Sequence, residues 1–425
     1  MRIAAPLGTH DVLPGEWALW RELEQAARTE FERFGYQEVR TPVFEDTRLF
    51  VRGTGETTDI VQKEMYTFGE GDDSITLRPE GTPPIVRSCL EHELFKAKKF
   101  QKLYYIGPMF RRERPQAGRL RQFHQMGIEA LGGYDPLLDA ETIVLAGRVF
   151  DRVGLAGYQV KLNSVGCPKC RPGYRAILRE KLTPSREKLC ESCQARFDRN
   201  VFRILDCKRD QCKAICADLP PPQQHACEEC AKHFAAVLEA LKRIELPFSV
   251  EPKLVRGLDY YTKTVYEITH SSLGARDAVC GGGRYDNMVE EFGGPPMGAV
   301  GFAIGMEATL LAIRNIRGEA AHAIASPTDV YVICIGNESR GYGFGVLDAL
   351  RKKGVATDGD YEARSPKAQM RTANKLGVRF AVVVGSDEMT QGVVTVKTMS
   401  TGEEAKLPLP EGVEFIVNKL KSAGS

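Results

Sequence analysis

No stretch of this 425-residue sequence is apolar for long enough to cross a membrane; none approaches the roughly 20 residues a helical span needs. The opening MRIAAPLGTHDVLPGEW also lacks the apolar core of an export signal, so the expected location is the cytoplasm. Net charge is nearly absent. The 58 Lys and Arg against 56 Asp and Glu leave a formal +2, so any surface for nucleic acid must come from local clustering. Two short nucleotide-binding signatures are missing, GxxxxGK[ST] and GxGxxG. A bound nucleotide would therefore rest on arginines and a sheet surface rather than on a phosphate-cradling loop. Internal repeats and low-complexity segments are missing too, which excludes repeat arrays. What is present is an ordinary globular composition, 43% hydrophobic and 27% charged. The length suits roughly two to four domains.

Along the chain, Trp17–Arg33 reads as an amphipathic helix, with Trp20, Leu23, Ala27 and Phe31 on one face and Gly35 as its stop. Tyr36–Pro42 reads as extended, because Pro42 holds Thr41 out of the helical region. Ser74–Arg78 reads as a strand, followed by a helix from Glu80. Lys102–Arg112 and Phe123–Leu131 read as two strands joined by the polar loop Glu113–Arg121, and Asp139–Val153 as a helix. Residues 167–246 differ in character and read as an inserted small domain. Strands are expected again at Phe248–Val255, Thr264–Thr269 and Ala278–Cys280, then a turn at Gly281–Gly283, and a helix over Met306–Arg314. The stretch Asn315–Thr328 reads as a linker. Beyond it, apolar runs at Asp329–Ile335 and Phe380–Val384 alternate with helical segments Arg340–Lys353 and Lys367–Leu376. The expected architecture is α+β: an antiparallel-sheet domain over 1–322, interrupted by the insert, then a small α/β domain over 328–425.

Four segments carry chemistry. Arg111–Arg121 holds five arginines, Arg111, Arg112, Arg114, Arg119 and Arg121, whose forked guanidinium groups match phosphate oxygens. A solvated charged loop has the same composition. Leu77-Arg78-Pro79-Glu80-Gly81-Thr82 places an acid at a strand-to-helix turn, where it can grip an ammonium group or simply favour the helix start. Arg256-Gly257-Leu258-Asp259-Tyr260-Tyr261 and Gly281-Gly282-Gly283-Arg284-Tyr285-Asp286 gather charge and phenols beside glycines, fitting either close approach to a ligand or turn chemistry.

Together these segments resemble the histidyl-tRNA synthetase family of class II aminoacyl-tRNA synthetases, over nearly the whole chain. Gly35–Pro42 looks like motif 1. Phe110–Arg114 with Arg121–Gln125 looks like motif 2, and Gly301–Glu307 like motif 3. Arg256–Tyr261 and Gly282–Asp286 look like the two signatures peculiar to the histidine enzymes. The resemblance implies ATP with Mg²⁺, L-histidine and tRNA-His as partners, and a homodimer. It implies Arg256, Arg111 and Gln125 as catalytic residues. Arg111, Glu113, Phe123 and Arg256 would meet ATP, with both arginines on the α-phosphate. Histidine would be bound by Glu80, Gly81, Thr82, Gln125, Glu129, Arg256, Tyr260, Tyr261 and Tyr285. Within that set Glu80, Thr82 and Gln125 would take the α-amino group, and Glu129 and Tyr261 would bracket the imidazole. Arg114, Gln116, Arg119 and Arg121 would meet the acceptor end of the tRNA, and the basic helices of the last domain its anticodon.

The chain departs from the family at one place. Motif 3 ordinarily ends Gly-x-Glu-Arg, its arginine holding the γ-phosphate of a bent ATP. Here the run is Gly305-Met306-Glu307-Ala308. The expectation is a working enzyme that uses ATP poorly, unless a residue such as Arg119 takes over. A second reading is a non-catalytic, histidine-sensing regulatory relative from histidine biosynthesis, but such relatives lack the tRNA-binding end.

Nine of the twelve cysteines lie between Cys167 and Cys230. Without an export signal, thiols or a metal are expected there rather than disulfides. The pairs Cys167/Cys170, Cys190/Cys193 and Cys227/Cys230 have the CxxC spacing of structural zinc ligands, beside Cys207, Cys212 and Cys216, and Cys190, Cys193, Cys227 and Cys230 are the candidate set. The alternative is ordinary buried thiols, since Phe234, Val237 and Leu238 give the following helix an apolar face of its own. The family resemblance does not call for a metal here.

Overall fold

Pro14 opens the first long helix. Its fixed φ suits the first turn, so the helix runs Pro14–Arg33, three residues longer than its apolar stripe indicates. Gly35, at φ +82°, turns the chain away. Leu19, Trp20, Leu23, Ala27 and Phe31 are buried along one face, against a sheet. The computed structural model describes residues 3–56, 58–274, 277–318 and 328–422. It divides into two units, Met1–His322 and Ala323–Ser425. Most of the expected linker lies outside the described residues, and its beginning is instead the end of a helix over Met306–Arg317.

In the first unit the strands are β1 (Gln37–Glu38), β2 (Phe44–Asp46), β3 (Tyr66–Phe68), β4 (Ile75–Leu77), β5 (Gln101–Phe110), β6 (Gln122–Leu131), β7 (Gln159–Ser164), β8 (Phe248–Val250), β9 (Thr262–Thr269), β10 (Ala278–Arg284) and β11 (Ala299–Gly305). Strands β2, β4 and β3 form a small sheet. The other eight form one sheet in the order β1-β5-β6-β11-β10-β9-β7-β8. It is antiparallel except for the edge pairs β1·β5 and β7·β8, as the α+β reading expects. Alternation sorts its faces. Tyr104, Met126, Ile128, Tyr266, Ile268, Phe302 and Ile304 join the core shared with the helices Pro14–Arg33, Pro136–Arg152 and Glu228–Arg243. The opposite face carries the site.

Two expectations need correction. Gly281–Gly283 is no turn but the middle of β10, paired with both neighbours. Its glycines serve close packing: a Cβ on Gly281 would lie 1.9 Å from an Arg256 nitrogen, and one on Gly282 2.6 Å from the Gly301 carbonyl oxygen. The strand expected over Phe248–Val255 stops at Val250, two residues before Pro252, which has no N–H to give a ladder. The expected insert also shares its last helix with the main core. In Glu228–Arg243 the residues Phe234, Val237 and Leu241 recur at helical spacing and are buried with the sheet.

The second unit has β12 (Val330–Cys334), β13 (Thr357–Gly359), β14 (Phe380–Val384), β15 (Val393–Thr398) and β16 (Glu404–Pro408), in the order β13-β12-β14-β15-β16. The first three are parallel and the last two add an antiparallel hairpin. Helices Arg340–Lys352 and Pro366–Leu376 pack against β12. That explains the continuous apolar runs: a parallel strand covered on both faces has no polar side. Among the described residues no helix is long and apolar enough to cross a membrane.

A wholly buried ion pair ties the Pro136–Arg152 helix to β10. Arg284 donates from Nε to Asp139 Oδ1 at 2.9 Å, and from its terminal nitrogens to the Gly133 and Asp135 carbonyls and to Asp286. His233 and Thr264 hold the other Asp139 oxygen. Removing one partner of such a pair strands the other charge, a loss of about 3–5 kcal/mol. Asp139→Ala is therefore expected to destabilise the first unit by that amount. Both tryptophans, Trp17 and Trp20, lie in its first helix, so tryptophan fluorescence during urea unfolding reads this unit alone. An unchanged midpoint would show the pair to be dispensable.

Candidate active site

The register of the large sheet sets out the floor of a cleft. One row across it reads Tyr105, Gly127, Ala303, Gly281 and Glu267; the next reads Leu103, Glu129, Gly301, Gly283 and Val265. Small residues in the middle of both rows leave room above the sheet. A Cβ on Gly301 would lie 2.0 Å from a Glu129 oxygen, and one on Gly127 2.6 Å from the Tyr105 hydroxyl. Glycine is required at both. A cavity of about 120 Å³ lies between Glu80, Thr82, Tyr105, Arg111, Gln125, Arg256, Tyr260, Tyr261 and Tyr285.

Its walls come from three chain segments. The turn after β4 supplies Glu80, Gly81 and Thr82 ahead of the helix Thr82–Glu91, where Pro83 and Pro84 suit a helix start. The bend before β9 supplies Arg256, Tyr260 and Tyr261, and the end of β10 supplies Tyr285. The three phenol rings pack together, Tyr260 with Tyr261 at 4.7 Å and with Tyr285 at 5.7 Å between centroids.

Two carboxyl groups are sealed in this cleft. Thr54 donates to Glu80 Oε1 at 2.6 Å and Tyr260 to Oε2 at 2.8 Å. Thr82 donates to Glu129 Oε1 at 2.6 Å, and Tyr285 donates to Oε2. Burial pushes the Glu129 carboxyl up to about 8, against the pull of these two hydroxyls, and the nearby Glu80 adds to the rise. Burial raises Glu80 as well, with Thr54, Arg111 and Tyr260 opposing. Among the described residues neither acid is ion-paired; both are held by hydroxyls. Three buried polar atoms around them have no partner: Tyr105 Oη, Gln125 Oε1 and Arg256 Nε. All three residues line the cleft.

Two arginines stand at the cleft. Arg256 is paired with Glu267 on the floor. Arg111 donates from Nε to the Pro79 carbonyl at 2.9 Å, and its guanidinium lies over the Phe123 ring at 5.2 Å. The loop after β5 carries Glu113, Arg114, Gln116, Arg119 and Arg121. Arg119 pairs with Glu113, Gln116 and Arg119 close the tip through a backbone bridge, and Arg121 donates to the Glu113 carbonyl at 3.2 Å. Arg114 is exposed. Gly118, at φ +71°, lays the tip on the Met306–Arg317 helix: a Cβ there would be 3.5 Å from the Ala308 Cα. The same helix is clamped to β6 by Glu307, whose oxygens both accept the His124 backbone N–H at 2.9 Å. Arg314 points elsewhere, to Glu16 at 2.8 Å.

Sequence reasoning missed Tyr105, Thr54, Glu267 and the small-residue floor at Gly127, Gly301 and Ala303. Alternation along β5 and β6 could have found Tyr105 and Gly127, since they share the face of Glu129. Glu267 was visible as a lone acid inside the β-branched run of β9.

The zinc candidates need correction as a set. Cys190 and Cys193 do not meet Cys227 and Cys230. They meet Cys207 and Cys212, while Cys227 and Cys230 meet Cys167 and Cys170. Sequence order misleads because Cys167 precedes the insert's first helix and Cys227 its last, and the chain brings these two ends together.

The raised Glu129 has a consequence for stability. Between its ordinary 4.5 and about 8 the folded protein holds a proton that the unfolded chain has released. Stability must then fall as pH rises through that window. Glu129→Gln removes the group, so the loss of urea midpoint between about pH 5 and about pH 9 should be shallower than in the wild type. Glu80, shifted the same way, preserves part of the slope. Identical slopes in the two proteins would contradict the burial argument.

The chain is similar to known proteins along its whole length. Residues 8–309 match the family model described as histidyl-tRNA synthetase, and residues 329–419 match that of the anticodon binding domain. A histidine–tRNA ligase of Desulfitobacterium hafniense is 46% identical, with all of both chains covered. One of Moorella thermoacetica is also 46% identical, again over the full length of both. The crystal structure of the apo S. aureus histidyl-tRNA synthetase superposes with a TM-score of 0.81 at 35% identity, covering 98% of this chain and 100% of that one. By sequence over its whole length, and by the fold that frames its cleft, the chain belongs to the histidyl-tRNA synthetase family.

Proposed function

We propose that this chain joins L-histidine to tRNA-His at the expense of ATP, releasing AMP and pyrophosphate. The observation that carries the reading is the pair of buried carboxyls, Glu80 and Glu129, held by hydroxyls beside unpartnered polar atoms. Histidine brings what they lack, an ammonium group and an imidazole N–H. Glu80, with Gln125, takes the α-amino group. Thr82 orients Glu129, which accepts the ring N–H while Tyr261 meets the other nitrogen and Tyr285 closes the pocket. Gly81 lies close against the Tyr105 ring.

The histidine carboxylate then attacks the α-phosphorus of ATP. A phosphorus–oxygen bond forms, pyrophosphate leaves, and histidyl-adenylate remains. No protein nucleophile is needed. Arg256, between Glu267 and the cleft, neutralises the carboxylate and the α-phosphate as charge shifts, and Arg111 holds the same phosphate from the other wall. The Phe123 ring that supports Arg111 also offers a face to the adenine. Glu113 keeps its place beside the nucleotide, with Arg119 on its carboxylate. Mg²⁺ bound with the ATP would screen its phosphates. In the second step a ribose hydroxyl at the 3′ end of the tRNA attacks the activated carbonyl and AMP leaves. The loop bearing Arg114, Gln116, Arg119 and Arg121 is the landing surface for that end, and the second unit, with its match to the anticodon binding domain, holds the anticodon. The reading places the protein in the cytoplasm, as a homodimer. In support of the dimer, Phe44, Phe68 and Ile75 share one face of the small sheet and are 52%, 53% and 39% exposed.

The test is histidine-dependent exchange between ATP and pyrophosphate, followed by charging of tRNA-His. A regulatory relative would bind histidine without exchange. Arg256→Ala should lower exchange by ~10²–10³-fold in a protein that still folds; near-normal exchange would remove Arg256 from the reaction. A chain ending at Thr328 should keep exchange and lose charging, and normal charging would give the second unit another task.

Ala308 yields the last expectation here. With Arg314 committed to Glu16, no arginine of the Met306–Arg317 helix stands in for the one motif 3 usually has. A charged hydrogen bond is worth ~1.5–3 kcal/mol. Ala308→Arg, with the loop tip displaced from the helix, should raise exchange at limiting ATP by at least about tenfold. No gain in a protein already highly active would assign the γ-phosphate to another cation.

A further inference from the structure

We propose that the cysteine-rich region binds two structural zinc ions, each in a site of four thiolates. The first consists of Cys167, Cys170, Cys227 and Cys230, the second of Cys190, Cys193, Cys207 and Cys212, and within each the four sulfurs lie within 4.8 Å of one another.

The sulfur spacing suits one tetrahedral ion in each site. A tetrahedral ion with metal–sulfur bonds of ~2.3 Å sets its sulfurs about 3.8 Å apart. Cys167 lies 3.8 Å from both Cys170 and Cys227, Cys170 lies 3.9 Å from Cys230, and Cys190 lies 3.9 Å from Cys207. A disulfide needs about 2.05 Å and joins only two sulfurs. Here Cys167 and Cys170 each have two sulfur neighbours, an arrangement that suits a shared central cation and not a bridge.

The chain around the thiols is shaped for the same purpose. Three of the four ligand pairs are CxxC turns and the fourth, Cys207 to Cys212, is CxxxxC, the spacings of zinc knuckles. Backbone N–H groups point at sulfur: Cys167 N donates to Cys170 Sγ at 3.2 Å, and Cys190 N to Cys212 Sγ at 3.3 Å. Such bonds steady thiolate ligands. Gly166, at φ +71°, leaves the space in front of Cys170, where a Cβ would come within 2.7 Å of the sulfur.

The two ions would do different things. The second lies among short elements, the helices Glu191–Arg199 and Asp210–Ile215, that bury little surface of their own; small modules of this kind are commonly stapled by metal. The first joins the beginning of the insert to its last helix. It also abuts the histidine pocket. Arg171, next to Cys170, donates to the Tyr261 carbonyl at 2.9 Å, the Gly166 carbonyl accepts the Lys263 N–H at 2.8 Å, and Lys263 Nζ reaches Glu229 at 2.9 Å. The ion thereby anchors the bend that presents Tyr260 and Tyr261. Zinc is the common occupant of structural four-cysteine sites built from CxxC turns.

The experiment is elemental analysis of the full-length protein purified under reducing conditions without added metal, together with thiol titration of the native chain. The expected result is about two zinc per chain, released in step with the eight ligand thiols by a mercurial. Cys207→Ser should remove one ion and Cys167→Ser the other. Should either variant fail to fold, cobalt exchanged into the wild type is expected to give the intense sulfur-to-metal charge-transfer bands of tetrathiolate sites at two equivalents. Iron in place of zinc, disulfides among these cysteines, or all twelve thiols reacting freely with no metal released would overturn the proposal.

Discussion

A carboxyl group cannot stay charged in a sealed pocket without a partner, and this protein seals two. Glu80 and Glu129 are buried behind threonine and tyrosine hydroxyls, which give each oxygen one hydrogen bond but no ion pair. Hydroxyls satisfy the geometry and leave the electrostatics open. The pocket is thus built at a cost to the empty protein, and a cationic, N–H-rich ligand removes that cost. Selectivity follows: a side chain of histidine's size with no ring N–H would leave Glu129 with its two hydroxyls and no donor from the ligand.

The rest of the fold keeps those two acids in place. Glu129 stands on a central strand whose opposite face is locked into the main core through Met126, Ile128 and Ala130. Glycines at 127, 281, 283 and 301 clear the space above it, and they are interchangeable with no larger residue because backbone or buried polar atoms occupy the positions of their Cβ atoms. Tyr285, which donates to Glu129, is held by its neighbour Arg284 and the buried Asp139. A pair that would be a poor source of net stability serves here to fix one tyrosine in one orientation. The clamp from Glu307 to His124 does the same for the strand that carries Gln125, linking two segments almost two hundred residues apart.

Much of this was legible in the sequence. Helical periodicity found the long helices because their apolar faces meet a sheet, and the Arg256–Tyr261 and Gly281–Asp286 segments drew attention because charge and phenols rarely gather at glycines without cause. The misses have physical reasons. Gly281–Gly283 looked like a turn, since propensity knows nothing of a guanidinium packed against a strand. β11 was unrecognised because its Ala299–Gly305 run alternates small with large residues, the small ones forming the floor of the cleft. Thr54 and Tyr105 lay hidden because their roles exist only once distant strands pair. The cysteine pairing failed for a like reason: local CxxC units are visible, but which unit meets which is decided by the path of the insert. That path also gave its last helix to the main core, where Phe234, Val237 and Leu241 pack.

The central claim is that the pocket selects by satisfying Glu80 and Glu129 rather than by shape alone. Its most direct measurement is calorimetric binding of L-histidine against a ring analogue of the same size that lacks the N–H, together with histamine, which keeps ring and amine but has no carboxylate. Histidine should bind far more tightly than the analogue, by as much as ~10⁴-fold, because the analogue leaves a buried carboxyl unpaired. Histamine should retain measurable affinity, since both acids still find their partners. Comparable binding of the ring analogue and histidine would contradict the claim and leave the two buried carboxyls without a role in recognition.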